Sequence, residues 1–409
     1  MAPVPSSRIA RGTPAFRRMS LALFLAGFST FGLLYCVQPL LPQFARHFGV
    51  SPAESALPLS LTTGALAVAI VAAGAFSQAI GRRGLMFASM GLAAILNLAA
   101  ALAPDWTLLL AARALEGLAL GGVPAVAMAY LSEEMEPADL AGAMGLYIAG
   151  TAFGGMMGRV GMGLLTELGS WRIAMAGIGL VGLAAALAFI RLLPPSRNFE
   201  RQGGFDPGFH LGAWGRHLRN ARLRRLFVVA FALMGVFVTL FNYATFRLEA
   251  APYGLSETEV SLLFLVYALG MVSSSLAGRM IDRLGSRTVL ALGFAVMTCG
   301  VVLTLARPLG VIALGLALVT GAFFVAHAVA GGWVGRLAEG AKGHASALYM
   351  LFYYLGSSLV GGAGGWFWEH GGWPAVAGLT AGLCVAGGLV ALALRTDAPS
   401  SALPSGGAP

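Results

Sequence analysis

The chain has 409 residues, 58% of them hydrophobic and only 11% charged, against about 25% charged in an ordinary soluble domain. That composition excludes a water-soluble globular protein. The net charge of +9, carried by 25 Arg and a single Lys, raises nucleic-acid binding as a reading, and the positions of the charges argue against it below. Cys36, Cys299 and Cys384 lie far apart in apolar runs and imply neither a disulfide framework nor a metal site.

Residues 1–18 read as a polar, basic tail with Arg8, Arg11, Arg17 and Arg18. Met19 to Ala45 then carries no charge, which is longer than the roughly 20 residues that cross a bilayer and too long for a signal-peptide core. The first span is expected near 20–42. Ser51-Pro52-Ala53-Glu54 has the form of a capping box with proline in the first turn, opening a second span near 55–78. Further spans are predicted near 85–103, 106–131, 140–164 and 172–193. The one long polar break, 194–225, divides the chain into a first bundle over 1–193 and a second over 226–409. Between Gly215 and Arg225 this break holds five Arg and no acid, with Trp214, Leu218 and Leu223 interleaved. It reads either as ordinary charge on a linker or as a basic amphipathic helix lying on the membrane surface. Spans 7 to 12 are expected near 226–248, 257–280, 288–306, 309–333, 345–367 and 374–394, the eighth again preceded by a capping box, Ser256 to Glu259.

The two halves repeat one another. Gly74, Gly81 and Arg83 recur as Gly278, Gly285 and Arg287 at an offset of 204. Gly49, Ser51 and Glu54 recur as Gly254, Ser256 and Glu259 at 205, and Tyr147, Gly154 and Trp171 as Tyr349, Gly356 and Trp373 at 202. With spans so assigned, Arg46, Arg172 and Arg307 fall on one side of the membrane and most other basic residues on the opposite side. This positive-inside pattern places both termini in the cytoplasm of a bacterial inner membrane.

The duplicated loop carries a resemblance to the major facilitator superfamily that spans nearly the whole chain. That family's loop signature, Gly-x-Leu-Ala-Asp-Arg-x-Gly-Arg-Lys/Arg, is matched by Gly278, Asp282, Arg283, Gly285 and Arg287. Its first copy is matched by Gly74, Gly81, Arg82 and Arg83, with Gln78 in place of Asp. The fourth-span signature Arg-x-x-Gln-Gly appears as Arg113, Glu116 and Gly117. The fifth-span antiporter signature appears as Gly150, Gly154, Gly155 and Gly158, with Gly155 replacing Pro and Arg159 replacing the last Gly. Within the family, the stretches at 35–42 and 124–134 look like the drug-efflux and arabinose-efflux-permease-like branch. The resemblance implies an all-α membrane protein of twelve helices in two pseudo-symmetric six-helix bundles, rocking about a central cavity. It also implies that the two loops latch the bundles together on the cytoplasmic side, with a weaker latch at uncharged Gln78 than at Asp282.

Charges within spans are costly and point to function. Arg113 and Glu116, three apart, share a helix face and can pair. Glu116 is the only acid well inside a predicted span and is the leading proton carrier, with Arg113 and His327 as partners in coupling. Arg159, placed in the outer third of span 5, reads either as an attractor for an anion or as a snorkelling side chain. Tyr35, Gln38, Asn242, Tyr243, Phe324, Tyr353 and Tyr354 are candidate cavity residues, chosen because the family lines its cavity with spans 1, 4, 7 and 10. Arg247 and Glu249 read as an interfacial pair. Gly150, Gly154 and Gly158, with Gly361 and Gly365, form small faces expected to pack spans 5 and 11 where the halves slide.

A membrane enzyme is disfavoured because the histidines are scattered and there is no HExxH or serine elbow. ATP is disfavoured as energy source because no Walker loop is present, and no cofactor is expected. The reading is therefore a monomeric secondary transporter, most simply a proton-coupled exporter of a drug or sugar-like molecule. Its partners are then the small-molecule substrate, protons and membrane lipids, with no nucleic acid. An energy-independent facilitator, proton-symport uptake and a membrane sensor are the alternatives. Arg113, Arg159 and His327 against one acid favour a neutral or weakly anionic substrate over a strongly cationic one.

Overall fold

A computed structural model describes residues 8–199 and 207–394, with the side chains of residues 75–80 and 141 outside the description. Among the described residues it is helical apart from short connections and an isolated bridge between Ile9 and Met135. Ten helical stretches are long and apolar enough to cross a membrane. One of them, Lys342–Leu392, holds two spans, because the chain turns at Gly372 (φ 59°) just ahead of Pro374. Leu140–Leu168 is a further 29-residue helix, its mean hydropathy lowered by glycines and Arg159. Twelve crossings result, as the sequence predicts.

The helix starts follow local chemistry. Asp105 accepts from the backbone N–H of Leu108 and Ser170 from that of Ile173, each capping a donor that the helix itself leaves open. Ser51 with Glu54 and Ser256 with Glu259 both form reciprocal capping boxes. Between spans 2 and 3 the chain turns at Gly81 (φ 95°), and between spans 8 and 9 at Gly285 (φ 77°). A side chain is strained in that backbone region, so these repeated glycines are what lets each loop close in a single residue.

Two boundaries differ from expectation. Span 1 runs over Pro14–Tyr35, breaks, and resumes as a 3₁₀ turn at Gln38–Leu40 and a helix at Leu41–Phe48. Pro39 has no N–H to give and its ring crowds the carbonyl four residues back, which accounts for the break. The basic stretch 215–225 is not one amphipathic helix. It divides at Asn220, whose side chain caps Ala221–Glu249 by accepting from the N–H groups of Arg222 and Leu223, so that Arg222, Arg224 and Arg225 belong to span 7. The linker helix before it, Pro207–Arg219, buries His210, Ala213 and His217 and exposes Phe209 and Leu211. Its His210 Nδ1 lies 2.8 Å from His344 Nε2 at the foot of span 11.

Span 7 is the most enclosed, with 89% of its most apolar stretch buried against 28% for span 8. The lipid-facing rim is apolar, as at Leu92, Ile95, Ile173 and Leu180. The glycine faces pack differently from expectation. A Cβ at Gly150, Gly154 or Gly158 would fall within 2.2–2.6 Å of the carbonyls of Phe24, Phe28 and Gly32 respectively. Those glycines press span 5 onto span 1 of the same half, not onto span 11. Gly361 likewise faces Val238 and Asn242 of span 7, within the second half. Gly365 does meet the other half, where its Cβ would sit 2.2 Å from Ala53 Cα.

Candidate functional site

The two halves are joined by polar contacts at the centre and at the end away from the duplicated loops. There, Arg46 pairs with Glu249 at 2.8 Å and with Glu257 at 3.6 Å. Glu249 thus pairs across the seam and not with Arg247, which donates instead to the carbonyls of Thr304 and Ala306. Glu369 of span 11 accepts from the backbone N–H of Ala53 at 2.9 Å. Glu167 of span 5 accepts from the N–H of Thr258 at 3.2 Å and from its hydroxyl at 2.6 Å. Glu167 and Glu369 stand 202 apart in sequence, so each half ends its fifth helix in a carboxylate that caps the second helix of the other half. A carboxylate at a helix N-terminus is favoured by about 0.3–1 kcal/mol, and here that preference ties the halves together twice.

At the loop end the Asp282 arm of the predicted latch finds no arginine among the described residues. Asp282, Arg283 and Arg287 are exposed. The backbone lets Gly74 and Gly278 carry a side chain without a clash, whereas Gly81 and Gly285 are the turn residues. Arg82 forms an ion pair with Glu133 at 2.8 Å, and Arg83 donates to the Ile190 carbonyl; both contacts lie within the first half. The side chain of Gln78 is outside the described residues.

In the first half, Arg113 and Glu116 are both fully buried and meet at 2.6 Å. Arg113 also donates to the carbonyls of Leu33 (3.3 Å) and Leu34 (2.9 Å) and to Asn97 Oδ1 (3.4 Å). It therefore satisfies carbonyls left open where Pro39 interrupts span 1. Glu116 Oε1 is buried with no hydrogen-bond partner. His327 is in the second half, its Nδ1 2.9 Å from the Tyr349 hydroxyl and its ring 4.7 Å from that of Tyr353. The structure does not bring His327 to the Glu116 pair.

The seam itself is crossed by a chain of side chains. Arg159 Nε donates to Gln38 Oε1 at 2.6 Å, and Gln38 Nε2 donates to Asn242 Oδ1 at 2.7 Å. Gln38 and Asn242 are 204 apart, the offset of the duplicated loop, so equivalent positions of the two halves bond to each other. The guanidinium of Arg159 lies over three rings, those of Tyr35 (4.1 Å), Tyr267 (4.7 Å) and Phe264 (5.2 Å). Its Nη1 donates to the Gly155 carbonyl at 2.6 Å, and a Cβ at Gly155 would come within 3.3 Å of that nitrogen. The two departures from the fifth-span signature are thus partners: Gly155 gives Arg159 its room and one of its acceptors. Arg159 is not snorkelling; it is 1% exposed.

Of the other cavity candidates, Tyr243 is spent on the Gly361 carbonyl (3.0 Å) within its own half. Phe324 packs edge-on to Tyr267 at 6.1 Å, and Tyr353 and Tyr354 meet edge-on at 5.1 Å. Sequence reasoning missed Tyr267 and Phe264, because span 8 is not among the spans carried over as cavity-lining. It also missed Asn97 and Tyr349 as site partners. Aligning the repeats was the available signal for Gln38 and Asn242; nothing local pointed to Tyr267.

A profile of the Major Facilitator Superfamily matches residues 23–250 and 245–409. The chain is 45% identical over 391 residues to the inner membrane transport protein YnfM of Escherichia coli K12, covering 96% of this chain and 94% of that one. It is 44% identical over 375 residues to the MFS-type transporter YybF of Bacillus subtilis, covering 91% and 92%. Among solved structures, the human organic anion transporter MFSD10 superposes with a TM-score of 0.72 at 19% identity, over 92% of this chain and 99% of that one. At that identity the likeness speaks for the fold.

Proposed function

The chain belongs to the major facilitator superfamily of membrane transporters, and from that premise we propose that it exports a small molecule in exchange for protons by alternating access. The observation that carries the reading is the seam. Its polar contacts gather at the centre and at one end, while at the other end Asp282 of the second loop is exposed and pairs with no arginine among the described residues. Positive-inside charge puts the loops and both termini in the cytoplasm, so this state is closed outside and released inside. Rocking about the central Gln38–Asn242 contact then exchanges the outer helix caps for the loop latch.

Glu116 is the proton carrier in this reading. Support comes from its complete burial and from Oε1, which has no hydrogen-bond partner. In this reading a proton arriving on Oε1 weakens the pair and releases Arg113 toward the carbonyls of span 1 that it already touches. The carrier would thereby act on the broken segment of span 1, which leads directly to Gln38.

Purified protein in vesicles loaded with an internal pH dye tests this. A panel of sugars, organic acids and amphipathic drugs is added to wild type and to Glu116→Gln. Proton movement evoked by a substrate and absent in the variant is expected. Substrate movement with no proton flux, unchanged in Glu116→Gln, would make the protein a facilitator and Glu116 a structural partner of Arg113.

A further inference from the structure

The buried arginines of this protein are treated unequally. Arg113 has a carboxylate at 2.6 Å. Arg159 is equally enclosed and has none among the described residues: its hydrogen-bond partners are an amide oxygen and a backbone carbonyl. A guanidinium stays charged under all relevant conditions and carries five donors. Burying such a charge without a counter-ion is expensive, and ring faces offset only part of that. Nη2 of Arg159 has no hydrogen-bond acceptor among the described residues.

The neighbouring polar groups repeat the same imbalance. Because Gln38 must turn its oxygen to Arg159, its nitrogen faces Asn242, and that fixes the Asn242 oxygen as acceptor. Asn242 Nδ2 is then left buried with no partner, as is the Tyr267 hydroxyl beside the guanidinium. The seam thus offers a cation and unused N–H and O–H donors, with no acid among the described residues to receive them. What fits such a set is an oxyanion. The rings that flank it, Tyr35 of the first half and Phe264 and Tyr267 of the second, continue to Phe324, and they suit an apolar body attached to the anion.

We propose that Arg159 is the substrate anchor, and that the transported molecule is a small organic acid whose carboxylate pairs with Arg159 while its apolar part lies against Tyr267 and Phe264. This rests on the reading of the protein as a transporter and names its substrate class. The carboxylate accepts charge-assisted hydrogen bonds from the Nη2 edge of the guanidinium. Since Gln38 joins Arg159 to Asn242, a ligand at Arg159 also pulls on the contact between equivalent positions of the two halves. Binding and rocking are therefore coupled through one side chain.

The test is equilibrium binding to the full-length purified protein, followed by intrinsic tryptophan fluorescence, using matched pairs: benzoate with benzamide, phenylacetate with phenylacetamide, and octanoate with octanamide. At least one acid should bind tenfold or more tightly than its own amide. Arg159→Gln should erase that preference and Arg159→Lys should keep part of it. Tyr267→Phe removes a hydroxyl that holds nothing in the protein, so it should fold normally and weaken the acid severalfold while leaving the amide unchanged. The proposal is overturned if no acid outbinds its amide, or if the preference survives Arg159→Gln. Should Arg159→Gln not fold, an acid preference undiminished in Tyr267→Phe overturns it instead. A parallel readout, labelling of an Ala53→Cys variant at the outer seam, separates this from the transporter reading. Outer opening without acid preference removes the substrate class alone. Acid binding with a seam that never opens removes alternating access and leaves the site.

Discussion

At the scale of single residues, the central question is why an arginine occupies a position where the fifth-span signature has glycine. Arg159 replaces a small contact by a charge in the middle of the seam, and the surroundings are adjusted to it. Gly155 supplies space and a carbonyl, Gln38 an oxygen, and three rings their faces. If the site lacks only a negative charge, supplying one from within should satisfy it. Gln38→Glu places a carboxylate where an amide oxygen now sits at 2.6 Å. The expected result is a higher unfolding midpoint together with acid binding weakened at least tenfold, since the internal carboxylate competes for the anchor. A lower midpoint with acid binding intact would mean that Arg159 is already satisfied by the rings and the amide.

Among the helices, the glycine faces separate two kinds of contact that look alike in sequence. Gly154 and Gly365 both lie on small-residue faces, and both admit a backbone to within about 2.2 Å of where a Cβ would stand. Gly154, however, meets Phe28 within its own half, and Gly365 meets Ala53 across the seam. Gly154→Leu should therefore cost folding itself, seen as little or no monodisperse protein, because spans 1 and 5 can no longer close. Gly365→Leu should fold and bind but fail to seal the outer end, seen as increased labelling of the Ala53→Cys position or its neighbours. The reverse pattern would show that the sliding surface is the face of span 5 after all. The small faces themselves were legible from spacing, as were the twelve spans, the capping boxes and the turn glycines, because each depends on residues close in sequence. Which helix each face meets was not, since that is set by packing between segments more than a hundred residues apart. Likewise Arg159, Gln38 and Asn242 were each singled out, but only the fold joins them into one chain.

For the whole molecule, the proposed alternating access implies two locks, one at each end of the seam, that do not hold at once. The outer lock is symmetric: Glu167 caps the helix after Ser256, Glu369 caps the helix after Ser51, and Arg46 gathers Glu249 and Glu257. The loop latch has a charged carboxylate in only one copy, Asp282, whose counterpart is Gln78. A closed inner end would then depend chiefly on the second half. Because Asp282 is exposed and pairs with no arginine among the described residues, Asp282→Asn should leave the unfolding midpoint nearly unchanged, as surface substitutions usually do. Its cost should appear when the inner end must close, as a loss of turnover. An interaction with a helix N-terminus worth about 0.3–2 kcal/mol corresponds to roughly a two- to thirtyfold slowing. Gln78→Asn removes no charge and should change turnover by less than about twofold. Equal slowing by the two variants would show that the latch is as symmetric as the outer lock, and the inequality of the two loops would then have no mechanical meaning.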